Sequence, residues 1–145
     1  MRIVYLSELD VEDYNALRRS AGWAPVHPAQ ARAGLDGSAL VVAAQSEGKT
    51  VGTARVVWDG GPAALIKDVL VLPEYRGQGI GSEMVRRLLA FLESKLEPGY
   101  AISVDLMASE GREAFYERLG FSRRPRERRG PGMDLVLKKA PHSGE

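Results

Sequence analysis

Apolar and polar positions alternate along Arg2–Leu6 and crowd into short runs at Ala39–Gln45, Thr50–Trp58, Ala64–Leu72 and Ala101–Met107. Alternation and short apolar runs bounded by turn residues predict strands. Elsewhere the period is helical. Val11, Tyr14 and Leu17 share one face behind Asp10, an N-cap residue with Asp13 three positions on. Gly22-Trp23-Ala24-Pro25-Val26-His27-Pro28 breaks that helix, and Pro28 suits the first turn of a short second one over Pro28–Ala33. Ser46-Glu47-Gly48-Lys49 predicts a hairpin turn, and Asp59-Gly60-Gly61-Pro62 a turn into the next strand. From Gly79 to Lys95, Met84, Val85, Leu88, Leu89, Leu92 and Leu96 recur at helical spacing, and Pro98-Gly99 closes the element. Glu110–Leu119 reads as a further helix, Phe121 opens a strand, and Met133–Lys138 forms the last one. The order β-α-α-β-β-β-α-β-α-β-β implies an α/β (α+β) fold, with a mixed sheet and helices on both faces.

Composition changes the picture by exclusion. At 145 residues the chain is long enough for one domain with a real core, expected over residues 1–139 with a frayed tail over 140–145. There is no cysteine, hence no disulfide framework and no thiol nucleophile. A net charge of +1 gives no global argument for nucleic acid. Arg123, Arg124, Arg126, Arg128 and Arg129 crowd one stretch without interleaved aromatics, so a base-stacking surface is not expected. No apolar run approaches the ~20 residues of a membrane span, and Met1–Tyr5 lacks a signal-peptide pattern. A cytoplasmic location is expected. His27 and His142 are isolated and lack metal-ligand spacing, and no metal site is expected.

The stretch that carries chemistry is Leu70-Val71-Leu72-Pro73-Glu74-Tyr75-Arg76-Gly77-Gln78-Gly79-Ile80-Gly81-Ser82. An apolar strand runs into a glycine-dense turn and then a helix. Without Cβ atoms at Gly77, Gly79 and Gly81, several N–H groups can point into one concavity at a helix N-terminus, where the dipole favours an anion. Arg76 adds a fixed positive charge. The arrangement reads as a diphosphate cradle. A P-loop needs a Gly-Lys-Ser/Thr ending, but Ser82 and Glu83 follow Gly81. A dinucleotide fold needs a third glycine where Ser82 stands.

Arg76-x-x-Gly79-x-Gly81 resembles the acyl-CoA pyrophosphate loop of the GNAT superfamily of N-acetyltransferases. Glu110–Phe121, with its Tyr116-x-x-x-Gly120-Phe121, is similar to that family's short helix. The likeness runs from about Ile3 to Leu137. It implies a mainly antiparallel central sheet flanked by helices, splayed between Ala64–Leu72 and Ala101–Met107, with a bulge near Val69-Leu70. It implies acetyl-CoA as cosubstrate and direct acetyl transfer to a primary amine of a small molecule in a ternary complex. The alternatives are a peptide N-terminal or lysine acetyltransferase, or a non-catalytic acyl-CoA sensor. It also implies roles for particular residues. Backbone groups at Val69, Leu70 and Val71 hold the pantetheine, and Arg76, Gly77, Gln78, Gly79, Ile80, Gly81 and Ser82 hold the pyrophosphate. Ser109 stands where many members carry Asn, and it and Phe115 contact the cofactor. Tyr116 protonates the departing thiolate. Arg112 contacts the 3′-phosphate side or is an exposed helix residue.

Asp68, beside Lys67 in the otherwise apolar strand Leu65–Val71, is a base or amine anchor, or else pairs with Lys67 or is a strand-edge charge. Trp23 is an aromatic wall for the acceptor or a cover over the core. Ile66-Lys67-Asp68-Val69 with Gly130-Pro131-Gly132-Met133 resembles a subgroup that acetylates arylalkylamines such as serotonin. A homodimer follows from the resemblance alone.

Overall fold

The computed structural model describes residues 2–141, so His142 and the tail beyond it lie outside the described residues. Two compact units are present, Met1–Leu106 and Met107–Glu145.

In the first unit the chain runs through β1 (Ile3–Leu6), α1 (Val11–Ser20), α2 (Pro28–Gly37), β2 (Leu40–Ser46), β3 (Lys49–Trp58), β4 (Ala63–Val71), α3 (Ile80–Ser94) and β5 (Ser103–Asp105). The sheet order is β1-β2-β3-β4-β5. The first three pairings are antiparallel and β4–β5 is parallel. A parallel pair needs a crossover, and α3 supplies it. Helix starts follow the expected chemistry: the Asp10 carboxylate accepts the Asp13 N–H at 2.8 Å, and Pro28 sits in the first turn of α2. Helix α2 extends past its expected end at Ala33 to Gly37, because buried Leu35 anchors another turn.

Alternation along β3 sorts the layers. A Cβ at Gly52 would meet Met84 and Ile80 of α3, whereas Arg55, of opposite parity, reaches Gly34 and Ser38 at the end of α2. Hence α3 packs on one face and α1 and α2 on the other. Met84, Val85, Leu88 and Leu92 seal the first face. Leu9, Tyr14, Ala31, Leu35, Val41 and Ala43 form a cluster on the second. Gly52 lets α3 approach closely: an added Cβ would lie 3.0 Å from the Leu70 carbonyl oxygen and 3.1 Å from Met84 Cε. Gly52→Ala is therefore expected to cost about 1–3 kcal/mol, as overpacking does. A urea midpoint unchanged from that of the parent protein would show that α3 can yield at this point.

Strand β5 is shorter than the run Ala101–Met107 suggests. It pairs only as Ala63↔Ser103, Ala64↔Val104 and Leu65↔Asp105. Beyond Leu65, β4 has no β5 partner among the described residues, and the two strands part there.

In the second unit the expected helix Glu110–Leu119 contracts to α4 (Glu113–Glu117). Gly111 at φ +81° and Gly120 at φ +101° bound it, both in a region that helical residues do not occupy. The two closing strands expected at Phe121 and Met133–Lys138 are absent among the described residues. The arginine-rich stretch makes a tight turn instead, with Arg126 and Arg129 exchanging two backbone hydrogen bonds of 2.8 Å. Met133, Leu135, Val136 and Leu137 are exposed. An alternating pattern becomes a strand only where a neighbour pairs its backbone, and among the described residues none does.

Candidate functional site

Strand β4 carries a bulge. Thr53 pairs with Leu70 and Arg55 with Lys67, so Ala54 alone faces both Asp68 and Val69. The bulge is centred on Asp68-Val69, beside the expected position. Asp68 lies at φ +56°, a region that costs a non-glycine residue unless its surroundings hold it.

They hold it with three donors. Arg55 Nε donates to Asp68 Oδ2 at 2.7 Å, the Tyr14 hydroxyl to the same oxygen at 2.9 Å, and Arg18 Nη1 to Oδ1 at 3.4 Å. The Asp68 side chain is 4% exposed. Thus the carboxylate offered by the sequence as base, anchor or Lys67 partner joins β3, β4 and α1, while Lys67 is exposed. Burial first, then the Asp68 charge and hydrogen bond, push the Tyr14 phenol up, with Arg18 and Arg55 opposing. Tyr14, Arg18 and Arg55 are the site residues that sequence reasoning missed. The one available signal was Arg55, a charge inside Thr53-Ala54-Arg55-Val56-Val57, one strand away from Asp68.

Arg18 also organises the break between α1 and α2. Its Nε donates to the Ala24 carbonyl at 2.9 Å, and its guanidinium lies 5.3 Å from the Trp23 ring centroid and 5.8 Å from that of Tyr14. Asn15 clamps the same segment through two 2.8 Å bonds with the Val26 backbone. Trp23 is thereby half-buried against a cation. His27, exposed, caps α2 by accepting the Ala29 N–H at Nδ1, 3.1 Å away.

At its far end β4 passes through a 3-10 turn, Pro73–Tyr75, into the glycine loop. Gly77 at φ +78° and Gly79 at φ +81° take the left-handed conformation, and Gly79 is the N-cap of α3. A Cβ at either would meet no atom within 4 Å, so the space over the loop is open and the backbone angle is what requires glycine. The first bond into the helix is Glu83 N–H to Gly79 O at 3.0 Å. The amides of Ile80, Gly81 and Ser82, ahead of it, have no intrahelical acceptor. No side chain caps this terminus. Arg76 is exposed and fixed by its Nε to the Val71 carbonyl at 3.1 Å. Glu83, the first-turn carboxylate, is held by Arg87 Nε at 2.9 Å. Open space, free amides and a tethered cation fit a pyrophosphate.

Within the second unit, Tyr116 packs edge-to-face against Phe115 at 4.9 Å and Phe121 at 5.9 Å. Burial pushes its phenol above the ordinary value, and the Arg112 charge opposes this. Arg112 is exposed and stacks on Phe115 at 4.9 Å. Ser109 is exposed, and its carbonyl accepts the Arg112 N–H at 2.9 Å.

The family described as "Acetyltransferase (GNAT) domain" matches residues 36–123. The chain is 26% identical to the uncharacterized N-acetyltransferase ycf52 of Pyropia yezoensis over 84% of its own length and 72% of that protein. It is 32% identical to serotonin N-acetyltransferase 2, chloroplastic, of rice over 84% of its length, spanning 61% of that protein. A Staphylococcus aureus crystal structure described as a probable acetyltransferase superposes with a TM-score of 0.83 at 26% identity, covering 94% of this chain and all (100%) of that one. The family match includes the bulged strand, the glycine loop and the Tyr116 helix, and with it the chain belongs to the GNAT acetyltransferases and is an acyltransferase enzyme.

Proposed function

We propose that this enzyme transfers the acetyl group of acetyl-CoA directly to a primary amine of a small molecule. The observation that carries the reading is the open, uncapped amide cradle at the start of α3, following a bulged strand that parts from β5. The amides of Ile80–Ser82 and the Arg76 guanidinium bind the pyrophosphate of the donor. Backbone groups at Val69–Val71, on the edge of β4 that β5 leaves unpaired, hold the pantetheine arm and polarise the thioester carbonyl. The amine nitrogen forms its bond to the carbonyl carbon, the carbon–sulfur bond breaks, and Tyr116 gives its proton to the leaving sulfur. The amine's own surplus proton leaves through water and restores the phenol. Asp68 acts by position, holding the bulge in register. With no cysteine in the chain, direct attack in a ternary complex replaces a thiol-borne acyl-enzyme. The relative named for serotonin supports a small amine as acceptor.

The test is thiol release from acetyl-CoA with a panel of arylalkylamines, polyamines, amino acids and short peptides, against an acceptor-free control. Release with small amines is expected, and release with peptides alone overturns the small-molecule reading. Gly79→Ala tests the cradle. The left-handed conformation costs a Cβ-bearing residue about 1–2 kcal/mol, so KM for acetyl-CoA should rise about 5- to 30-fold with kcat nearly unchanged. An unaltered KM would remove the loop from the pyrophosphate site.

A further inference from the structure

The cluster around Asp68 does not balance its charge. One carboxylate faces two guanidiniums, Arg55 and Arg18, and neither pairs with a second carboxylate among the described residues. Tyr14, the remaining member, stays a neutral phenol, because burial and Asp68 both disfavour its ionisation. The cluster is therefore left with one positive charge. That charge belongs with Arg18. Arg55 is the more engaged of the two: Nε on Asp68 at 2.7 Å, Nη1 on Ser38 Oγ at 3.2 Å and on Gly34 O at 3.4 Å. Arg18 meets Asp68 only at 3.4 Å and gives one further N–H to Ala24, out of the five donors a guanidinium carries. Its side chain is 20% exposed, and the Trp23 and Tyr14 rings flank its planar group. A flanked, oriented guanidinium with spare in-plane donors suits a carboxylate or phosphate.

We propose that Arg18 is a specificity-determining residue for the acceptor, and that the preferred acceptor is a primary amine that also carries an anionic group, a carboxylate or a phosphomonoester. This deepens the acetyl-transfer reading and rests on it. Arg18 links the bulge, where the donor carbonyl is to be held, with the Trp23–Val26 segment. An anion bound there fixes the acceptor at one end and leaves its amine to reach the bulge.

The experiment compares matched acceptors at saturating acetyl-CoA: L-tyrosine against tyramine for the carboxylate, and glucosamine 6-phosphate against glucosamine for the phosphate. The parent enzyme should favour the anionic member of at least one pair by about 10- to 100-fold in kcat/KM, the size of one charge-assisted hydrogen bond, and the favoured pair names the anion. Arg18→Met should erase that preference, lowering kcat/KM for the anionic member at least about tenfold more than for its neutral counterpart, and Arg18→Lys should restore part of it. A preference for neutral amines, or an equal loss on both members in Arg18→Met, overturns the inference and leaves acetyl transfer standing. Should no amine be acetylated, the acetyl-transfer reading fails instead. Inorganic phosphate, titrated against tryptophan fluorescence with Trp23→Phe as control, then decides the anion site alone. Saturable quenching that vanishes in Arg18→Met supports it, and no quenching removes it.

Discussion

Asp68→Ala is expected to lower the unfolding free energy by about 3–5 kcal/mol, the size of effect seen when one partner of a buried ion pair is removed. The reason is what stays behind. Arg55 and Arg18, 17% and 20% exposed at their side chains, keep their charges and lose the only carboxylate that faces them among the described residues. Tyr14 loses its acceptor as well. The backbone at φ +56° is then free to relax, and the bulge with it. Asp68→Asn keeps the shape and an acceptor oxygen but not the charge, so its loss should be smaller, about 1.5–3 kcal/mol. Urea unfolding of both variants checks the order. The exposed pairs Arg32–Asp36, Arg87–Glu83 and Arg123–Glu117 have similar or better geometry, 2.9 Å each. Breaking Arg32–Asp36 or Arg87–Glu83 should cost under about 1 kcal/mol, because water replaces the lost partner, and the Arg123–Glu117 pair, whose arginine is fully exposed, should matter least. A loss at Asp68 no larger than at these three would mean that water reaches the cluster.

That contrast also shows which parts of the molecule a sequence can disclose. Met84, Val85, Leu88 and Leu92 announce α3 to within a residue, because one helix face is a local property of the chain. The glycine loop is equally local: φ values of +78° and +81° at Gly77 and Gly79 need glycine whatever packs nearby. The Asp68 cluster is not local. Its members come from positions 14, 18, 55 and 68, and only the β3–β4 register with its one-residue slip brings Arg55 beside the bulge. Nothing in a single strand's pattern specifies the register of its neighbour. The same dependence governs Met133–Lys138, where a strand-like alternation has no partner strand among the described residues. It also shortened β5, whose pairing with β4 stops at Leu65, ahead of the bulge at Asp68-Val69. Helix α2 ran longer than expected because Leu35 packs against the sheet, which outweighs Gly34 and Gly37.

Tyr116→Phe is expected to lower kcat by about 10²- to 10⁴-fold, the usual contribution of a positioned acid or base, with KM for acetyl-CoA within about twofold. The substitution isolates the hydroxyl. Phenylalanine keeps the ring that packs edge-to-face on Phe115 and Phe121, so the local fold should persist. The pH profile makes the test sharper. A general acid works while it holds its proton, and an ordinary phenol gives it up near pH ~10. Burial raises the Tyr116 phenol above that value, so the acid form spans the neutral range and the alkaline limb of kcat should lie beyond the ordinary tyrosine region. Arg112 pulls the other way, since its charge favours the phenolate. Arg112→Ala should therefore move the limb higher still, and Tyr116→Phe should abolish it. A packing role for Tyr116 makes the opposite forecast: kcat retained in the Phe variant, and a limb indifferent to Arg112. The two readings separate on one enzyme and two substitutions, because the ring serves packing and only the hydroxyl can serve the leaving sulfur.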